Sequence, residues 1–161
     1  MQVITLETKI AAPVQRCFLL SLNVDLHVQS TAKTNERAIA GITHGLMELG
    51  DKVTWRARHF GLMLTHETLI SRYEMPLYFQ DVMLKGMFRS FVHDHYFTHV
   101  LGDQTLMRDK LSFEAPLGPI GRVVEVLILK NYLSEFLRSR NTLIRQVAEG
   151  PKRGWRSLVT Q

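Results

Sequence analysis

The stretch from Pro119 to Ala148 most constrains the fold, because it reads as one long amphipathic helix that must lie on a core. With each residue placed about 100° on from the last, Leu129, Tyr132, Leu133, Phe136, Leu137, Leu143, Ile144 and Val147 share one face. Asn131, Ser134, Glu135, Arg138, Thr142, Arg145 and Glu149 take the other. The earlier turns behave differently. Ile120, Val123, Val124 and Leu127 point nearly opposite to that stripe, and Val126, Ile128 and Leu129 fill the gaps. This half is apolar almost all round, which predicts a kink or a change of packing partner near Leu129–Asn131. Arg140 falls in the middle of the apolar face. Either its stem covers apolar surface or its guanidinium meets a carboxylate of the layer beneath.

That layer is predicted by the residues before the helix. Met1 to Ile10 alternates, with Ile4, Leu6 and Ile10 on one side and Thr5, Glu7 and Lys9 on the other, as in a half-buried strand. Ala12-Pro13 starts a short helix with Val14, Cys17, Phe18 and Leu22 as its apolar face, and a second short helix is expected around Asp25 to Ser30. Thr34 to Ala40 reads as a short strand, and Gly41 to Gly50 as a loop. Five longer strands follow at Val53–Phe60, Leu62–Tyr73, Leu77–Lys85, Ser90–Val100 and Gln104–Ala115. Connections of a few residues require antiparallel neighbours. One helix cannot cover both faces of so large a sheet. An α+β fold is therefore expected, in which a curved antiparallel sheet of six to seven strands wraps around the long C-terminal helix, with two short helices after the first strand. Such a sheet tends to leave a cavity under the helix.

A length of 161 residues suits one domain, taken as residues 1–149, followed by a basic tail at 150–161 that is expected to be disordered. The formal charge of +5 is spread along the chain, with no basic run of the kind found in nucleic-acid arms, so no nucleic-acid partner is expected. The single Cys17 reads as a buried small hydrophobe in a reducing compartment. No signal-peptide pattern opens the chain, and Val123 to Leu129 is too short to span a bilayer, so a cytoplasmic protein without a transmembrane segment is expected. There is no Gly-rich phosphate loop, Gly-x-Ser-x-Gly elbow or Cys-x-x-Cys pair, and no cofactor is expected.

Several motifs resemble bacterial members of the START-like superfamily. They are Val53-Thr-Trp-Arg-Ala-Arg-His-Phe60, Phe79-x-Asp81-x-Met83 and Phe91-x-His93-Asp-His95-x-Phe97. Gly102 to Asp109, Pro116-Leu-Gly-Pro-x-Gly121, and Tyr132-Leu followed by Arg140-Asn141 belong to the same pattern, which runs from about Val3 to Glu149. The resemblance implies a helix-grip fold. It is weaker on function, since that superfamily includes START lipid-transfer domains, polyketide cyclases and aromatases, plant pollen-allergen proteins and coenzyme Q-binding proteins on one scaffold.

Alternation sorts the side chains by face. Inward-pointing sets are Trp55, Ala57 and His59; Phe79, Asp81 and Met83; Phe91, His93, His95, Phe97 and His99; and Met107, Asp109, Leu111 and Phe113. Trp55, Phe79, Met83, Phe91, Phe97, Met107 and Phe113 would wall a pocket, and His59, Asp81, His93, His95, Asp109 and Arg140 would bring polar groups into it. Charged groups are rarely buried unless paired or useful. These either satisfy one another or orient a ligand. The His93-x-His95 spacing also suits a metal, although nothing else clusters with it in sequence and no metal is expected. The lone His27, His44, His66 and His99 read as surface or loop residues.

The expected function is binding, as carrier or sensor, of a small hydrophobic ligand of lipid, quinone or polyketide type. A cyclase or dehydratase using the His and Asp groups as acid and base is the alternative. A protein-interaction module is a third class. The apolar Val123–Leu129 region would then be a contact surface, and a homodimer could form through it.

Overall fold

The computed structural model describes residues 1–116, 118, 123 and 125–159. β1 (Gln2–Ile10) leads into α1 (Val14–Ser21), α2 (Val24–Ser30) and a single tight helical turn at Ala32–Thr34. Then come β2 (Arg37–Gly41), β3 (Lys52–His59), β4 (Leu62–Glu74), β5 (Tyr78–Lys85), β6 (Ser90–Val100) and β7 (Gln104–Glu114). The seven strands form one antiparallel sheet in the order β1-β7-β6-β5-β4-β3-β2. The expected strand at Thr34 starts later. Asn35 turns left-handed at φ 51°, which ends the tight turn and lets the strand begin at Arg37.

Local chemistry sets the connections. His59 pairs with Leu62, so Phe60 and Gly61 make a two-residue hairpin turn, and both have positive φ as such turns require. Asn23 caps α2 by accepting a hydrogen bond from the Leu26 N–H at 2.7 Å. Register shifts between Ala38 and Ala40 and at two places in β4 add bends to the sheet.

The long helix runs as α-helix from Lys130 to Glu149, preceded by a wider π-helical stretch at Glu125–Leu129. The geometry thus changes where the apolar stripe changes face. A π stretch is one of the known causes of helix bending. The helical turns expected at Pro119, Ile120, Gly121, Arg122 and Val124 lie outside the described residues. Leu129 and Leu137 pack with Ile4, Leu111 and Phe113, while Ile144 and Ala148 join a second cluster with Cys17, Phe18, Met107 and Phe79.

The tail differs from the expected disorder. Lys152–Val159 form a helix whose Trp155, Leu158 and Val159 pack against the core. Arg16 stacks over the Trp155 ring at 4.1 Å, and Asn23 Nδ2 donates to the Leu158 carbonyl at 2.8 Å. Basic composition suggested a solvated tail, but Trp155 and Leu158 stand three residues apart and share a helical face.

Candidate functional site

A cavity of about 160 Å³ lies between the inner face of the sheet, α1–α2 and the long helix. Strand alternation brings Trp55 and His59 from β3, Phe79, Asp81 and Met83 from β5, and Phe91, His93 and His95 from β6 to its wall. Tyr132, Phe136, Leu137 and Arg140 face them from the helix. Of the residues expected at a pocket, Phe97, Met107, Asp109 and Phe113 do not line it. All four point inward and are fully buried, but other groups cover them. α1 lays Phe18 on Phe97 at 5.4 Å and Ser21 on the Met107 sulfur at 3.6 Å. Phe113 packs under Phe88 at 5.8 Å, and Asp109 lies behind the histidines.

Asp109 is the hub of one polar network. His95 stands opposite Asp109 across β6–β7, and His93 opposite Asp81 across β5–β6. Each histidine also reaches diagonally, a distance long side chains can span. His93 Nε2 contacts Asp109 Oδ1 at 3.0 Å, and His95 Nε2 contacts Asp81 Oδ2 at 2.9 Å. His95 Nδ1 approaches Asp109 Oδ1 to 2.9 Å, off the angle a hydrogen bond needs. From the long helix, Asn141 Nδ2 donates to Asp109 Oδ2 at 2.6 Å and Arg140 Nη1 sits 3.5 Å from Oδ1. Arg140 Nη2 donates to the Ser21 carbonyl at 3.0 Å. Of the two readings open for Arg140, the carboxylate partner is therefore the one realised.

The charges follow from these contacts. Burial alone would raise the Asp109 carboxyl, but the hydrogen bond from His93 and the close imidazole of His95 outweigh it and hold Asp109 well below the ordinary carboxylate range. Asp81 is lowered in the same way, against burial, by His95, His93 and Arg140. Burial pushes the His93 imidazole down, helped by the neighbouring His95 and opposed by the two carboxylates. His93 Nδ1 lies 3.8 Å from Asp81 Oδ2 and makes no hydrogen bond among the described residues. Of the two ring nitrogens here without a hydrogen bond, His95 Nδ1 lies against Asp109 and His93 Nδ1 does not.

Asp81, His93 and His95 also offer three ligand atoms within 4.8 Å of one another. The His-x-His spacing is thus joined by a carboxylate from the next strand. A metal there would have to take the Asp81 oxygen over from His95, which now holds it.

A second polar group was not legible as a site. Glu36, 3% exposed, lines the cavity together with His27, His66 and the expected His59. His27 and His66 had read as surface residues, whereas His44 and His99 are indeed exposed. His27 lies on the Trp55 ring at 4.3 Å and holds Nε2 3.5 Å from Glu36 Oε2. Burial pushes both His59 and His66 below their ordinary values. Burial would raise Glu36, but His27 beside it draws it below its ordinary value. The one sequence signal for Glu36 was a lone acidic residue at the start of a short strand, which predicts nothing by itself.

No family model matches the chain, and no curated protein matches it. Solved structures do. A START superfamily protein from Mycobacterium smegmatis superposes with a TM-score of 0.68 at 12% identity, covering 91% of this chain and 97% of that one. Ginseng major latex-like protein 151 from Panax ginseng gives 0.66 at 15% identity, covering 91% and 97%. Zhui aromatase/cyclase from Streptomyces gives 0.62 at 10% identity, covering 91% and 95%. Likeness at such identities shows a fold, and the fold of this chain is the START-like helix grip.

Proposed function

We propose that the protein binds a small hydrophobic ligand of lipid, quinone or polyketide type in the cavity between sheet and long helix, as a cytoplasmic carrier or sensor. The observation that carries this reading is a space of about 160 Å³ walled by Trp55, Phe79, Met83 and Phe91, with its polar groups gathered into two clusters. His59, Asp81, His93, His95 and Arg140 stand where they would orient a polar end. Asp109 supports that set from behind. No helix among the described residues is long and apolar enough to cross a membrane. Native mass spectrometry of the purified protein, followed by denaturing extraction, tests the proposal. A co-purified hydrophobic molecule, released on unfolding, is the expected result. A clean apo mass, together with no binding of added lipids, quinones or aromatic polyketides, would end it.

One observation favours a second reading. His93 Nδ1 faces the cavity without a hydrogen bond, and its other nitrogen is held by Asp109, the arrangement of an oriented general base. A cyclase or dehydratase would use it to move a proton on a bound polyketide-like chain. Turnover of such a substrate, lost in His93→Ala with binding retained, would distinguish an enzyme from a carrier.

A further inference from the structure

We propose that the Glu36 end of the cavity receives a neutral hydroxyl of the ligand, so that the bound molecule is an apolar compound carrying a phenol or alcohol group. This rests on the ligand-binding reading above and adds the chemistry of one end. Glu36 is 3% exposed, and its Oε2 has no hydrogen-bond donor among the described residues. A buried carboxylate oxygen without a donor is unfavourable, and native proteins rarely leave one so. The nearest candidate, His27 Nε2, is 3.5 Å away and makes an ion-pair contact without hydrogen-bond geometry.

Two other donor groups around it are committed. Trp55 Nε1 donates to Thr68 Oγ1 at 3.0 Å. His59 Nδ1 and the Tyr132 hydroxyl hold each other at 2.6 Å. Glu36 therefore lines the cavity with only the ion-pair contact of His27, while the Asp109 end holds hydrogen bonds from His93 and Asn141 and close contacts from His95 and Arg140. A donor that enters with the ligand completes it. A hydroxyl fits better than an ammonium. The ammonium would surrender far more hydration in an apolar pocket, beside three imidazoles that add no negative charge.

The test compares β-naphthol, its methyl ether and the cationic naphthylmethylamine, by calorimetry, on the wild-type protein and on Glu36→Gln. Naphthol is expected to bind wild type about tenfold tighter than the ether, as a charge-assisted hydrogen bond would give. In Glu36→Gln that preference should shrink to about threefold or less, with ether affinity unchanged, since a neutral amide accepts more weakly. Equal binding of naphthol and ether by wild type overturns the inference while leaving the cavity reading intact. Tighter binding of the amine overturns the hydroxyl class. If none of the three binds, the cavity reading fails and this inference with it. Should Glu36→Gln fail to fold, the wild-type preference still decides.

Discussion

The two polar ends of the cavity differ in how completely they are satisfied. Around Asp109, two histidines from β6 and an arginine and an asparagine from the long helix converge on one carboxylate. Around Glu36, Trp55, His59 and Tyr132 bond elsewhere, and the carboxylate is left with only the 3.5 Å ion-pair contact of His27. A closed network of buried charges holds elements in register, because removing one member strands the others. An open acceptor contributes little to the fold and is available to something that binds. The Asp109 end thus reads as the part that fastens the long helix to the sheet, and the Glu36 end as the part that reads a ligand.

Substitutions at the two ends should separate them. Asp109→Ala strands His93, His95, Arg140 and Asn141, and is expected to cost about 3–5 kcal/mol in denaturant unfolding. Glu36→Gln should shift stability by less than about 1 kcal/mol, because no well-formed hydrogen bond is lost. Equal losses would mean that both ends are structural.

Acid should act in two steps. His59, His66 and His93 have folded pKa values below 6.5, so their contribution is complete above that pH and declines as pH falls through the folded values. Asp81 and Asp109 are lowered from 3.8, so theirs is lost only as pH falls below that value toward the folded one. Thermal unfolding between neutral pH and pH of about 3 should show a shallow decline, then a steep one. The steep step should be smaller in Asp109→Ala.

His93→Ala removes the hydrogen bond from Nε2 to Asp109 and should cost about 1–2 kcal/mol. A loss as large as that of Asp109→Ala would make His93 a structural residue with no spare role as a base. At the cavity wall, a Cβ on Gly86 would lie 2.4 Å from the Met83 sulfur and 2.9 Å from His66 Cβ. Gly86→Ala should therefore push Met83 and reduce naphthol affinity severalfold, with stability changed by about 1 kcal/mol. Unchanged affinity would place the ligand away from Met83.

The smallest effect concerns the exposed Val123, Val126, Leu127 and Ile128. Leu127→Lys should leave the fold unchanged. If a homodimer forms there, sedimentation should show it dissociating in this variant, and a concentration-independent monomer in the wild type would remove the dimer.

Much of this fold was readable from local patterns. The period-2 alternation in Ser90–Val100 and Gln104–Glu114 determined which side chains point inward, and the 3.6-residue period placed Leu137 and Ile144 on the helix's buried face. Short connections determined antiparallel neighbours. Those are properties of residues close in sequence, so the sequence carries them directly. Which inward residues meet the cavity was decided only in three dimensions. Phe97, Met107 and Phe113 point inward like Phe79 and Phe91, yet α1 and Phe88 cover them. The partners of Asp109 come from positions 16 and 32 residues apart, brought together by strand register and by where the helix lands. Glu36, His27 and His66 looked isolated because their spacing has no period. They become neighbours because the left-handed turn at Asn35 delivers Glu36 to the cavity wall facing α2 and β4. Periodicity records the face on which a side chain lies. What covers that face, and which charge it meets, depends on packing between elements that no local pattern contains.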